Sequence, residues 1–223
     1  MNALARRLRQ TECDGVEMSL AGARIVCDPS GVLYAPDERL LIVSDLHLEK
    51  GAAFARRGMM LPPYDTAATL TLLEAAMTRY VPQRVISLGD SFHDRTGAAL
   101  MPEASRETLR RLMAGRDWIW ISGNHDPEPP AFVGGETREE IAVGPWTFRH
   151  EPSAAYRAGE VAGHLHPVAR VANGARSTRG ACFASDGSRM IMPSFGVTTG
   201  GLNVLDRAFD GLFDLATAKA YVI

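Results

Sequence analysis

The feature that most constrains this chain is a pattern that occurs three times before residue 127: a short apolar run rich in β-formers that stops abruptly at a polar tip. Residues 40–44 stop at Asp45, residues 84–88 at Gly89-Asp90, and residues 118–122 at Gly123-Asn124-His125-Asp126. Runs of this length suit buried strands. Between the first two, residues 66–80 carry helical spacing through Leu70, Leu73 and Met77, with Asp65 as the expected N-cap after Pro62-Pro63. Between the second and third, 103–114 reads as a helix closed by Gly115. A strand, tip, helix order predicts an α/β layer with a mainly parallel sheet, in which ligands bind beyond the carboxyl ends of the strands. The polar tips should therefore converge.

On either side of this layer the pattern is different. Residues 16–22 and 23–29 alternate and break at Ala21-Gly22, which predicts a hairpin followed by a short strand at 32–35. After Glu136 come short segments punctuated by Gly and Pro, at 137–143, 146–149, 159–162, 167–171, 181–184, 190–193, 202–205 and 220–223. They predict a second, mostly antiparallel sheet. No linker separates the halves, so one domain over 1–223 is expected, with 1–36 as an amino-terminal strand extension packed on it.

Composition excludes several classes. With 223 residues, 46% hydrophobic and 22% charged, the chain is neither disordered nor fibrous and can build a large core. No apolar run approaches the eighteen or so residues of a membrane helix, and MNALARRLRQ lacks the apolar stretch of a signal peptide, so a cytoplasmic protein with no membrane partner is expected. Cys13, Cys27 and Cys182 are odd in number and form no CxxC pair, which argues for buried hydrophobes rather than a disulfide framework or zinc ribbon. The net charge of −2 gives no general affinity for polyanions, so nucleic-acid binding would need a local site.

Five of the six histidines fall in polar motifs directly after apolar segments: Asp45-Leu46-His47, Asn124-His125-Asp126, His150 and His164-Leu165-His166. With Gly89-Asp90 the ordered set is DxH, GD, GNHD, a lone His, and GHLH. Nitrogen and oxygen donors without thiolates suit borderline divalent metals better than a structural zinc site.

This ordered set resembles the calcineurin-like metallophosphoesterase superfamily. The resemblance implies a four-layer α-β-β-α sandwich of two mixed sheets. It also implies two divalent ions, with Asp45, His47 and His166 on the first, Asp90 bridging, and Asn124, His150 and His164 on the second. A hydroxide between the ions would be the nucleophile, and His125, the histidine of GNHD, the general acid. Asp126 could orient that imidazole or cap the next segment. His93, where many members carry a carboxylate, could meet substrate phosphate or only support its loop.

The segments Ser44 to Gly51, Phe54 to Gly58 and Leu61 to Thr66, with Phe148-Arg149-His150-Glu151-Pro152, are similar to the bacterial ligase-associated DNA-damage-response endonucleases. That likeness implies a manganese-dependent enzyme that cuts phosphodiester bonds in single-stranded or unpaired DNA during repair. It would work beside a DNA ligase, a helicase and an exonuclease. Iron, zinc or cobalt would also fit the donors. Lys50, Arg56, Arg57 and Arg95 could track a nucleic-acid backbone, and Tyr64, Phe54 and Phe92 could stack on bases. The alternatives are a small-molecule phosphomonoesterase, a nucleotide pyrophosphatase, and a scaffold that has lost its metals.

Overall fold

The computed structural model describes residues 15–59, 64–94, 97–126, 133–173 and 176–223. Cys13 and the start of the amino-terminal extension, Pro62-Pro63 and Arg95 lie outside the described residues.

The first sheet runs in chain order: β1 (Val16–Leu20), β2 (Ala23–Cys27), β3 (Leu33–Ala35), β4 (Leu40–Val43), β5 (Arg84–Leu88), β6 (Asp117–Ile121) and β7 (Glu136–Arg138). Pairing is antiparallel from β1 to β4 and parallel from β4 to β7. The central strands are apolar on both faces because both faces are covered. Leu41, Val43, Val85, Trp118 and Trp120 join a core closed by helices, while Leu40, Ile42, Ile86, Leu88, Ile119 and Ile121 join a core shared with the second sheet. Of the helices α1 (Lys50–Arg56), α2 (Asp65–Tyr80), α3 (Gly97–Leu100) and α4 (Glu103–Met113), α2 buries Leu70, Leu73 and Met77 in the first core, and α4 buries Leu109 and Leu112.

The second sheet comprises β8 (Glu140–Val143), β9 (Trp146–Arg149), β10 (Glu160–Ala162), β11 (Val168–Asn173), β12 (Arg176–Ser185), β13 (Met190–Ile191) and β14 (Lys219–Val222). Its spatial order is β11-β12-β13-β10-β9-β8, with β14 on β12. β10 pairs in parallel with both β9 and β13, and the other pairs are antiparallel. Phe209 and Leu212 cover Ala162 and Ile191 on the outer face, where a 3-10 turn at Arg207–Phe209 stands in for a full helical layer. Two mixed sheets between helices and this thin fourth layer form the expected sandwich. Cys27 and Cys182 are buried free thiols, pushed up to about 12 by burial.

Several local expectations fail for physical reasons. Residues 137–143 are not one strand: β7 completes the first sheet and β8 opens the second, and β7, exposed along its length, carries no apolar signal to mark the switch. Residues 202–205 form only a bridge from Asn203 to Val168, because the chain turns there through Asp206 N–H to Asn203 O and leaves Leu205 89% exposed. β12 runs for 10 residues rather than four, its first half being a polar hairpin arm.

Asp65 is the first residue of α2, and its carboxylate accepts the Gly51 N–H at 2.9 Å, so it caps the start of α1 instead of its own helix. Thr66 Oγ1 likewise accepts the Glu49 N–H at 2.7 Å. Together they pin the chain that leaves His47. Under the loop after β9, the fully buried Arg189 pairs with the fully buried Glu160, which also accepts the Ser153 hydroxyl at 2.6 Å.

Candidate metal centre

The tips of β4, β5 and β6 in one sheet and β9 and β10 in the other meet at a single point, because parallel pairing brings strand ends of like sense together. Sharp turns aim the side chains. Asp45, His47, Glu49, Asp90, His164 and His166 all hold left-handed backbone, with φ between 45° and 66°. A non-glycine residue in this region costs about 1–3 kcal/mol and persists only where packing over-determines it.

Two donor groups result. One ligand atom each from Asp45, His47 and His166 lies within 4.8 Å of the others, and the same holds for Asp90, His150 and His164. In the first group Asp45 Oδ2 is saturated by the Ser44 hydroxyl and by the His164 N–H at 3.0 Å. Its Oδ1 faces His166 Nε2 at 3.1 Å. The Gly200 carbonyl meets His166 Nδ1 at 3.2 Å and, being an acceptor, keeps the hydrogen on Nδ1. Asp45 Oδ1 and His166 Nε2 are thus facing lone pairs, buried without a hydrogen-bond partner, as is His47 Nδ1. Only a proton or a cation reconciles them.

The second group follows the same logic. The Leu88 carbonyl holds His150 Nδ1 at 2.8 Å, which leaves Nε2 as the lone pair of the neutral ring. Around it gather Asn124 Oδ1 at 2.9 Å, His164 Nδ1 at 3.2 Å and Asp90 Oδ1 at 3.5 Å. Burial favours a free lone pair on one ring of each group, while at His166 the Asp45 carboxylate and the Gly200 carbonyl outweigh burial and raise the imidazole. Burial, against the pull of Asp45, lowers His47 to about 3, and burial also lowers His164. Burial opposes charge on Asp45, but the facing His166 imidazole, and then His150 and His47, bring it down to about 2. The residues present therefore fit two divalent cations.

Glycines let these tips touch. A Cβ on Gly163 would lie 1.9 Å from Ser44 Oγ and 2.5 Å from Asp45 Oδ2, and one on Gly123 would lie 2.3 Å from Asp90 Oδ1. Gly163→Ala is expected to weaken metal binding by about 10–100-fold through the displaced Asp45, as removing a ligand's support typically does. Manganese titration by calorimetry checks this, and unchanged affinity contradicts it.

His125 stands at the open side with its side chain 42% exposed. Its Nδ1 meets the His93 carbonyl at 3.0 Å, and its Nε2 lies 3.9 Å from Asp90 Oδ2. The expected orienting role of Asp126 is not observed. That carboxylate accepts the Phe92 N–H at 2.9 Å and is pushed up to about 8 by burial, while the His93 backbone orients His125. His93 is buried and stacks on His125 with centroids 5.4 Å apart, a support that sequence spacing did not assign. Phe92 is fully buried and unavailable for base stacking, whereas Tyr64 is 72% exposed. Arg56 pairs with Asp94 at 2.7 Å, and Lys50, half-buried, donates to the Thr198 carbonyl at 3.1 Å.

No helix among the described residues is long and apolar enough to cross a membrane. No curated protein matches the chain. Among solved structures, a nuclease named MPE from Pseudomonas putida is similar, with 29% identity over 87% of this chain and 93% of that one and a TM-score of 0.71. The family model for calcineurin-like phosphoesterases matches residues 38–203. That match spans every strand end that feeds the two donor groups, and the chain accordingly belongs to the calcineurin-like phosphoesterase family of metal-dependent hydrolases.

Proposed function

We propose that this phosphoesterase is a DNA endonuclease that cuts phosphodiester bonds in single-stranded or unpaired DNA, with manganese as its ion. The observation that carries the reading is the convergence of lone pairs at Asp45, His166, His150 and Asn124, which calls for cations, beside a solvent-facing imidazole on His125. The likeness to a nuclease supports a nucleic-acid substrate.

In this reading Asp45, His47 and His166 would hold one ion and Asn124, His150 and His164 the other, with Asp90 a donor to both. Ions held there would supply Lewis acidity to a phosphoryl oxygen and a water acidic enough to serve as nucleophile at neutral pH. The protein's own groups do the rest. Leu88 and Gly200 carbonyls fix the tautomers of His150 and His166. The His93 carbonyl keeps the Nδ1 hydrogen of His125 engaged, so its Nε2 is the atom that delivers a proton to the departing oxygen. The enzyme works in the cytoplasm during repair, alongside a DNA ligase, a helicase and an exonuclease.

Manganese-loaded protein is expected to nick circular single-stranded DNA and to prefer a chromogenic phosphodiester to its monoester and to mononucleotides. His125→Ala should keep two ions per chain yet lose about 10²–10⁴-fold in turnover, the usual range for a general acid. Cleavage of the small esters with no cutting of DNA at micromolar enzyme would overturn the nuclease reading.

A further inference from the structure

A groove of about 600 Å³ opens from His166 between β12 and the loop 196–201. Its walls combine Pro29, Val168 and Val197 with Thr178, Arg179 and Thr199. Among the described residues its lining contains no Asp or Glu side chain, in a chain of net charge −2. The groove bordered by Leu205, Phe209 and Phe213 on the outer face, by contrast, carries Asp206 and Asp210. The first groove is therefore the one suited to an anionic ligand, and its size falls in the 300–1,000 Å³ range of ligand clefts, more than a lone phosphate fills.

Its position relative to the centre is fixed by one turn. The Gly200 carbonyl meets His166 Nδ1 at 3.2 Å, and the next carbonyl, Gly201, accepts an N–H of Arg179 at 2.5 Å. One peptide step, about 3.8 Å between Cα atoms, thus separates the anchors of a donor histidine and an exposed guanidinium. Arg179 keeps further N–H groups to offer a phosphate oxygen. The His47 ring lies 5.5 Å from the His125 ring and 5.4 Å from the His166 ring. The groove begins at His166, and the imidazole that serves the leaving oxygen, His125, is not among the residues that line it.

A phosphodiester, unlike a monoester, carries a second ester arm that stays on phosphorus. We infer that this groove binds that arm: the nucleotide on the non-leaving side of the scissile phosphate lies along Val168 and Val197, with its next phosphate on Arg179. This rests on the nuclease reading above.

The test compares wild type, Arg179→Ala and Arg179→Glu in two assays. The first is the ratio of kcat/KM for a single-stranded oligonucleotide to that for bis(p-nitrophenyl) phosphate, which is too short to reach Arg179. The second is binding of a fluorescent oligonucleotide to metal-free protein by anisotropy over a salt series. Each variant is expected to lower the ratio about tenfold or more, as loss of a charged hydrogen bond does. Arg179→Ala should also flatten the slope of log K against log salt by about 0.7, one single-strand phosphate contact. A ratio that stays unchanged, through no loss or equal loss on both substrates, overturns the groove assignment while leaving the nuclease reading intact. Wild-type protein that hydrolyses the small diester but not DNA overturns both.

Discussion

Asp90→Ala is expected to lower phosphodiesterase turnover on the order of 10³-fold or more, while leaving the far-ultraviolet circular dichroism of the fold in place. The carboxylate reaches toward His150 at 3.5 Å and accepts the His125 N–H at 2.9 Å, and the residue's carbonyl accepts the His47 N–H at 2.9 Å. It thus touches both donor groups and the residue that carries the proton. Lewis-acid stabilisation at such a site is worth several kcal/mol, and each 1.36 kcal/mol is tenfold in rate. Ion content measured on the same sample should fall below two per chain. A variant that keeps both ions and its turnover contradicts the shared role given to Asp90.

The second large effect concerns the pair beneath the site. Arg189 and Glu160 are both fully buried, and the arginine also donates to the Leu212 carbonyl at 3.1 Å. Glu160 accepts from the Ser153 N–H at 3.2 Å and from its hydroxyl at 2.6 Å, which ties the loop that leaves His150 to the start of β10. Arg189→Met takes the nearest cation from a buried carboxylate, leaving it the Ser153 donors and Arg149 at 3.8 Å, and is expected to cost about 3–5 kcal/mol. For a chain of this size that is a fall in Tm on the order of 10 °C. Adding Glu160→Leu should recover much of the loss, since a buried pair replaced by apolar groups is often neutral. If Arg189→Met melts within a degree or two of wild type, the pair is not the anchor described here.

Much of this was legible in the sequence because burial on both faces writes itself as short apolar runs, and because such runs stop where the chain must reach the ligand. The ends of β4, β5 and β6 and the helical spacing of α2 follow from that. The resemblance of the ordered motifs supplied the two donor sets, and the structure brings Asp45, His47 and His166, and Asp90, His150 and His164, into two groups. Three things had no sequence signal. The left-handed turns at Asp45, His47, Asp90, His164 and His166 are imposed by tertiary packing, and although Asp and His enter this region more readily than most non-glycine residues, they occupy ordinary backbone far more often, so residue type does not mark the turns. The partners that set tautomers, Leu88, Gly200 and His93, act through carbonyls, which every residue carries. The exchange of Asp65 from its own helix to α1 was equally hidden, since a capping residue's type does not say which helix it caps.

The central claim is that these side chains gather two cations at one point. Crystals grown with manganese and measured at its absorption edge are expected to give two anomalous peaks, one among Asp45, His47 and His166 and one among Asn124, His150 and His164, with Asp90 in contact with both. Absence of anomalous signal between these residues, or a single peak elsewhere on the molecule, would contradict the account.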